Sequence, residues 1–359
     1  MERRAFLKRA AAGASAGVVA APAVAQGDPA LVWRLASSFP KSLDTIYGAA
    51  DVFARRVLQL TGGRFDIRPY AGDELVPSLQ VLEAVQAGTV EMGHTASYYY
   101  FRKDPAFAFD AAVPFGMTSR QQTAWFDQGG GRELMRDFFR SYGVVNFLGG
   151  NTGTQMGGWF RREVRDVQDL QGLKMRISGF AGMVLRRLGM APQQLAGGEI
   201  YPALEKGTID AAEWIGPYDD EKLGFYKVAP FYYTPGWWEP GLQLSFYVGV
   251  REWERLPRAY QAAIEAASYE THVVMQAQYD ARNPAALARL EKNGVKLRAF
   301  SRPIMDASYK ATVETMEEVA SGNATFRRIY DPWKRFRDDQ NAWDAVAEAR
   351  IRNFMAAHR

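Results

Sequence analysis

Segments of strand composition and segments of helical spacing alternate along most of this chain, and that alternation constrains the fold more than any other feature. LVWRLASSF (31–39) has strand composition, and SLDTIYGAADVFARRVLQLTGG (42–63) carries apolar residues at helical spacing and stops on glycines. RFDIRPY alternates as a strand, SLQVLEAVQAG is helical and TVEMGHT is a short strand. The order β-α-β-α-β predicts an α/β protein whose sheet is mostly parallel and covered on both faces.

The pattern recurs. Setting Gly88 over Gly207 aligns LEAVQAGTVEMGH (82–94) with YPALEKGTIDAAE (201–213), and DLQGLKMRISGFAGMVLRRLG (169–189) is a further strand-then-helix unit upstream of the second copy. Two similar lobes are the simplest reading. The alignment puts Glu213 opposite His94, both at the carboxyl end of a strand, where open α/β sheets bind ligands. Two such ends would face each other across a cleft. Beyond the second copy, PGWWEPGLQLSFYVGV (235–250) is an aromatic-rich turn feeding a strand. Residues 252–292 read as a long helical stretch interrupted at Pro257 and Pro284. The tail from about 303 to 356 is again helical, and Trp333, Phe336 and Trp343 recur at helical spacing as packing residues. With no low-complexity linker between the lobes, they are expected to exchange strands.

MERRAFLKRAAAGASAGVVAAPAVAQ has a charged start, an Ala/Gly/Val run and a small-x-small site at Ala23-Val24-Ala25, which is the layout of an export signal. Arg3 and Arg4 in RRAFLK match the twin-arginine type. The apolar run is broken at Pro22 and falls short of the roughly 20 residues that a membrane span needs. Residues 1–25 are therefore expected to be removed and the mature chain to be periplasmic. That segment accounts for most of the formal charge of +4: setting aside its four basic residues and one acid leaves 40 basic and 39 acidic side chains. No basic cluster with interleaved aromatics follows residue 30, so nucleic acid is not an expected partner. The chain has no cysteine, which excludes disulfides, thiol catalysis and cysteine-ligated iron–sulfur clusters.

Catalytic signatures are missing or misplaced. GASAG (13–17) fits G-x-S-x-G but lies inside the export signal, and no H-E-x-x-H, P-loop, dinucleotide fingerprint or EF-hand loop occurs. Of three histidines, His358 is near the end, His272 falls mid-helix and His94 at a strand end. No catalytic residue is assigned. Polar residues in apolar or glycine-rich surroundings stand out instead. Arg176 lies in LKMRISG, on the same strand face as Lys174; it pairs either with a structural carboxylate or, through its two-pronged guanidinium, with a ligand carboxylate. Gln155 follows the glycines of GGNTGTQMGGW, and Glu239 sits among Trp237, Trp238 and Pro240, where a carboxylate is costly to bury unless paired or metal-bound.

The twin-arginine signal, ASYYYFRKDPAFAF, GGNTGTQMGGWF, LQGLKMRISGFAGMVLRRLG, EIYPALEKGTIDAAEWIGPYDD and YTPGWWEPG together resemble the solute receptors of tripartite ATP-independent periplasmic (TRAP) transporters. Within them the chain is most similar to the branch that binds alpha-keto and related 2-hydroxy acids with a metal ion, and the resemblance covers essentially the whole mature chain. It implies a two-lobed periplasmic binding protein fold with crossing strands between the lobes and a long C-terminal helix. Lobe I would span 31–148, completed by about 243–251, and lobe II 149–242, with 252–359 packing on both. It also implies that Arg176 pins the substrate carboxylate and that Gln155, Glu213, the backbone oxygen of Trp214 and Glu239 hold a cation. The tyrosine run YYY (98–100) would wall the first-lobe side; spacing leaves open which of the three points inward, with Tyr98 and Tyr100 sharing a face if the run is extended, and Asn151 is counted with the substrate-binding residues. Two carboxylates plus the substrate's own favour Ca²⁺ over Na⁺, with sodium as the alternative. The implied partners are a small 2-oxo or 2-hydroxy carboxylate and the membrane subunits of the transporter. Two other readings are a metal-free receptor of the same fold for a C4-dicarboxylate and an exported metal-dependent hydrolase or lyase. Spacing leaves open whether the long helix packs within one chain or is exchanged in a homodimer, as the resemblance suggests.

Overall fold

A computed structural model of the chain describes residues 28–358, so the expected export signal lies outside the described residues. The strands form two sheets. The first contains β1 (Leu31–Ser37), β2 (Phe65–Tyr70), β3 (Met92–Thr95), β4 (Val144–Asn151) and, from much later in the chain, β10 (Gln243–Gly249), in the order β2-β1-β3-β10-β4. The second contains β5 (Gly158–Phe160), β6 (Lys174–Arg176), β7 (Ala191–Gln193), β8 (Ala211–Ala212), β9 (Phe231–Thr234) and β11 (Lys296–Ala299), in the order β11-β9-β5-β8-β6-β7.

The predicted β-α-β-α-β unit is present, with β1 parallel to both β2 and β3. The expectation of mostly parallel sheets needs correction, because both sheets are mixed: β10 is antiparallel to β3 and β4, and β5 is antiparallel to β8 and β9. One cause explains both. The chain crosses from β4 into β5 and returns from β9 into β10, so each sheet gains a strand from the other lobe without the crossover connection that parallel pairing requires. The two crossing segments, 152–157 and 235–242, run side by side. Thr152 N donates to Leu242 O (3.0 Å), Gln155 N to Glu239 O (3.1 Å) and Gly236 N to Gln155 O (3.0 Å). A Cβ on Gly236 would lie 2.5 Å from the Gln155 carbonyl oxygen, so only glycine permits this approach.

The internal repeat is structural as well as textual. Gly88 and Gly207 have φ of 70° and 71°, and each ends a helical turn with the same bonds: Gly88 N to Val85 O and Gly207 N to Leu204 O, both 3.1 Å. Thr89 N to Ala84 O (2.9 Å) matches Thr208 N to Ala203 O (3.0 Å). The register extends the match, since Leu35 faces Met92 and Met175 faces Ala211, making β1 the counterpart of β6. The two equivalent strand ends differ in content. His94 is buried between Phe39 and Phe246, its Nε2 3.1 Å from Gly149 O, and burial holds its pKa down at about 4, so it is a neutral packing residue.

A 35-residue helix, Arg258–Lys292, spans the molecule, touching β4 and the helix Gly48–Leu60 on the first lobe and the helix Pro217–Leu223 on the second. Pro257 stands just before its first residue, but Pro284 does not interrupt it, contrary to expectation. A proline removes one backbone bond, and here buried Tyr279, Ala286 and Leu290 hold the turns on either side. Of the three tail aromatics, Trp333 is buried against Phe109 and Phe336 is half-buried, but Trp343 is 57% exposed and is not a packing residue in this chain.

The long helix is fastened to the second lobe by Tyr279, whose hydroxyl donates to Asp219 Oδ2 at 2.7 Å while Oδ1 has no partner. Burial pushes Asp219 up to about 7, against the pull of the Tyr279 bond. An acid raised in the folded state holds a proton that the unfolded chain has lost, so its favourable contribution disappears as pH rises from about 4 through 7. Urea melts at pH 5 and pH 8 should therefore show wild-type stability falling with pH. Asp219→Asn should remove a component of up to about 3 kcal/mol from that fall; identical pH slopes for the two proteins would refute the assignment.

Candidate ligand and cation site

Arg176 is the last residue of β6 and Glu213 follows β8, so adjacent parallel strands deliver the two side chains to one point. Both are completely buried. Arg176 Nη1 donates to Glu213 Oε2 (2.8 Å) and to Glu213 O (2.7 Å), and Nε reaches Leu195 O (3.3 Å). The two readings of this arginine are therefore not exclusive. One edge of the guanidinium is committed to a protein carboxylate, while Nη2 is buried with no partner. The Trp214 ring covers it at 5.0 Å, a cation–π contact that adds to its fixed orientation.

The loop carrying Glu213 and Trp214 is held from behind. Asp220 accepts from Trp159 Nε1 (2.9 Å), the Tyr232 hydroxyl (2.7 Å) and Ile215 N (3.2 Å), and Trp159 stacks on Tyr232 at 3.9 Å. Met156 N donates to Ile215 O (3.0 Å), which ties the same loop to the first crossing segment. That segment carries Gln155, whose Nε2 donates to Thr152 Oγ1 (3.2 Å) and whose Oε1 is unpartnered. The second crossing segment carries Glu239, buried beside Trp237 and Trp238 with Oε2 unpartnered. Asn151, at the end of β4, accepts from Gly153 N at Oδ1 (2.9 Å) and leaves Nδ2 free.

The tyrosine run is a 3₁₀ turn, Ser97–Tyr100, and not an extended strand. At three residues per turn, Tyr98 and Tyr100 do not share a face. Tyr98 and Tyr99 line a small apolar cavity with Phe39, Ile46, Trp214, Ile215 and Leu242. Tyr100 instead donates to Thr95 Oγ1 or accepts from it (3.1 Å), accepts from Leu82 N (3.0 Å) and packs on Phe107 and Tyr247. The expected wall residue Tyr100 thus belongs to the first-lobe core, and Tyr99 takes its place. The turn is anchored by buried Asp110, which accepts from Ser97 and from Ser245 Oγ (2.6 Å). Sequence reasoning missed Phe39, Ile46, Ile215 and Leu242. The repeat held a usable signal, because β1 matches β6 and so the residues just after β1 must face those just after β6.

Charge in this enclosure is unbalanced. Burial pushes Glu213 up and the Arg176 charge pulls it back down. Glu239 is raised further, first by burial and then by the charge of Glu213. With a guanidinium at 2.8 Å, Glu213 keeps the charge; Glu239 lacks such a partner and is the group that carries a proton when nothing else neutralises it. Tyr98 is raised by burial and by both glutamates, and burial takes Tyr99 to about 12, so both remain neutral.

These residues fit a hard cation. Gln155 Oε1, Glu213 Oε1 and Glu239 Oε2 are buried acceptors without donors, a costly state that an oxygen-seeking ion relieves. Among the described residues no group of three or more His, Cys, Asp or Glu side chains that could hold a metal ion occurs, and the expected donors are two carboxylates and amide oxygen. The donors Arg176 Nη2, Asn151 Nδ2 and Trp214 Nε1 are likewise buried and free, which suits an anion.

The sequence profile of bacterial extracellular solute-binding protein family 7 matches residues 36–323. The chain is similar to the monocarboxylate 2-oxoacid-binding periplasmic protein of Nostoc sp., at 52% identity over 334 residues, covering 93% of this chain and 92% of that one. It is similar to a TRAP transporter solute-binding protein from Bordetella bronchiseptica, solved as a mixed-occupancy dimer with copurified calcium and picolinate, at 51% identity and a TM-score of 0.91; the match covers 92% of this chain and 98% of that one. The corresponding protein of Pseudoalteromonas atlantica, solved with sodium and pyruvate, is 39% identical with a TM-score of 0.87, covering 90% and 98%.

Proposed function

We propose, from the premise that the chain belongs to bacterial extracellular solute-binding protein family 7, that its buried site takes a small 2-oxo or 2-hydroxy monocarboxylate together with a cation. The protein is an extracytoplasmic receptor of a TRAP transporter and a non-enzymatic binding protein. One observation carries the substrate reading: acceptors (Gln155 Oε1, Glu213 Oε1, Glu239 Oε2) and donors (Arg176 Nη2, Asn151 Nδ2) are buried without partners, on the two crossing segments and the strand ends beside them. A lone anion would leave the acceptors unsatisfied and a lone cation the donors.

In this reading Gln155, Glu213, the Trp214 carbonyl and Glu239 hold the cation, which supplies positive charge and coordination sites for ligand oxygens. Arg176 orients the carboxylate through Nη2 while Glu213 fixes the opposite edge of the guanidinium. Asn151 adds a donor, and Tyr98, Tyr99 and Trp214 exclude water. The apolar walls of Phe39, Ile46, Ile215 and Leu242 favour a modest apolar substituent over a second carboxylate, which argues against a C4-dicarboxylate. Oxygen donors with two carboxylates favour Ca²⁺, and sodium remains the alternative given the Pseudoalteromonas relative.

The finer assignments rest on narrower support. We assign 31–148 with 243–251 to lobe I, 149–242 to lobe II and 252–359 to the region packing on both, supported by sheet membership and by the span of the long helix. Export by the twin-arginine route rests on Arg3-Arg4. A homodimer is supported by the exposed apolar residues Trp343, Val346, Ile351, Phe354 and Met355 at the end of the chain and by the dimeric Bordetella relative.

The test is a thermal-shift panel of 2-oxo, 2-hydroxy and C4-dicarboxylic acids with calcium present. A ligand at 100 times its Kd adds about 2.7 kcal/mol of stability. Pyruvate and its homologues should raise the Tm and succinate should not; a response to dicarboxylates alone would overturn the substrate class.

A further inference from the structure

The loop that follows β1 supplies Phe39 and Ile46 to the cavity wall and places an acidic residue, Asp44, between them on the outside. The polar partners of Asp44 come from across the cleft. Its Oδ1 pairs with Lys222, and its Oδ2 accepts from the Tyr218 hydroxyl at 3.1 Å and from Arg282 Nη1 at 3.2 Å. Arg282 Nη1 also donates to Thr45 Oγ1 (2.8 Å) and to the Tyr218 hydroxyl (3.3 Å). The Tyr218 ring lies between two cations, with Lys222 Nζ at 4.3 Å and Arg282 Cζ at 5.0 Å from its centroid. Tyr218 N is itself held by Asn283 Oδ1 at 3.1 Å, so the second-lobe side of the cluster is fastened to the long helix.

The placement ties the cluster to both halves of the site. Tyr218 and Lys222 belong to the helix Pro217–Leu223, which starts three residues after Trp214, while Asp44 and Thr45 sit immediately before Ile46. Opening the cleft would break the bonds from Asp44 to Tyr218 and Lys222 together. We infer that Asp44, clasped by Lys222, Tyr218 and Arg282, is a latch between the lobes that sets how long a bound ligand stays. The inference rests on the reading that the adjoining cavity takes a carboxylate ligand. Its strength suits that task. Asp44 is about half exposed and Lys222 and Arg282 about one-third, so each contact is individually modest and screened by salt. A receptor that must surrender its ligand to a membrane partner needs a closed state that is favoured but reversible.

The experiment is stopped-flow tryptophan fluorescence on the full calcium-loaded protein, with pyruvate and picolinate as probes. Asp44→Asn should raise koff about 5-fold and leave kon within about twofold. High salt should raise wild-type koff toward that of the variant. Combining Asp44→Asn with Lys222→Met should be non-additive, because both remove the same contact. A wild-type koff in Asp44→Asn, with or without a lowered Tm, overturns the latch and leaves a surface ion pair. Failure of the wild-type protein to bind either probe overturns the ligand reading, and the latch with it, and is distinguished by being visible before any substitution is made.

Discussion

Arg176→Lys should lower affinity for pyruvate by about 100-fold or more while the protein stays folded, as read by titration calorimetry alongside a circular dichroism melt. The guanidinium does two things at once. Through Nη1 it holds Glu213 Oε2 and the Glu213 carbonyl, and through Nη2 it offers a buried donor to a ligand. An ammonium at the end of a flexible stem can keep the ion pair with Glu213, but it cannot present a second donor in the same plane. Losing a buried, charge-assisted contact to an anion costs about 2–5 kcal/mol. The ion pair that survives protects the fold, because Glu213 is not left as an isolated buried charge. Wild-type affinity in the lysine variant would remove Arg176 from the ligand site and leave it a structural partner of Glu213.

Removal of the cation should be nearly as damaging. Exhaustive dialysis against a chelator is expected to lower pyruvate affinity by about 100-fold or more and the Tm by on the order of 5 °C, with both restored by calcium. Without a cation, Glu239 takes up a proton, and Glu213 and the incoming carboxylate share one guanidinium whose near edge is already occupied, so like charges in a water-poor enclosure repel strongly. Glu239→Gln isolates the effect. It keeps size and one oxygen donor but removes a charge, so the variant should bind calcium more weakly and still fold. Full pyruvate affinity in protein shown by elemental analysis to be free of calcium and sodium would discard the cation from the mechanism.

The strongest sequence signals were those with local physical causes. The helix-Gly-Thr-strand match between 82–94 and 201–213 recurs bond for bond, because a left-handed glycine ending a helix dictates the next backbone bonds wherever it occurs. Arg176 stood out because a guanidinium on a buried strand needs a partner. The misreadings were of three kinds. YYY read as extended gave Tyr98 with Tyr100, but the 3₁₀ turn gives Tyr98 with Tyr99, and backbone curvature over four residues depends on the bond from Ser97 to Asp110, which lies elsewhere in the lobe. Pro284 looked like an interruption, yet buried neighbours on both sides outweigh one lost bond. Trp343 shares helical spacing with Trp333, but it remains 57% exposed, beside mostly polar neighbours such as Arg120 and Gln121.

What the sequence by itself determined is the inventory: alternating elements that require two α/β lobes, a repeat that aligns their strand ends, and Gln155, Glu213 and Glu239 in surroundings too apolar for unpaired polar groups. What only the tertiary structure decided is which atoms remain free. Hydrogen bonds, from the local Gln155–Thr152 and Tyr100–Thr95 contacts to the Arg176–Glu213 pair on neighbouring strands, use up one edge of Arg176 and the nitrogen of Gln155, occupy the Tyr100 hydroxyl, and leave other buried atoms without partners. That division cannot be read along the chain, because it depends on three-dimensional distances set when the two crossing segments pack side by side.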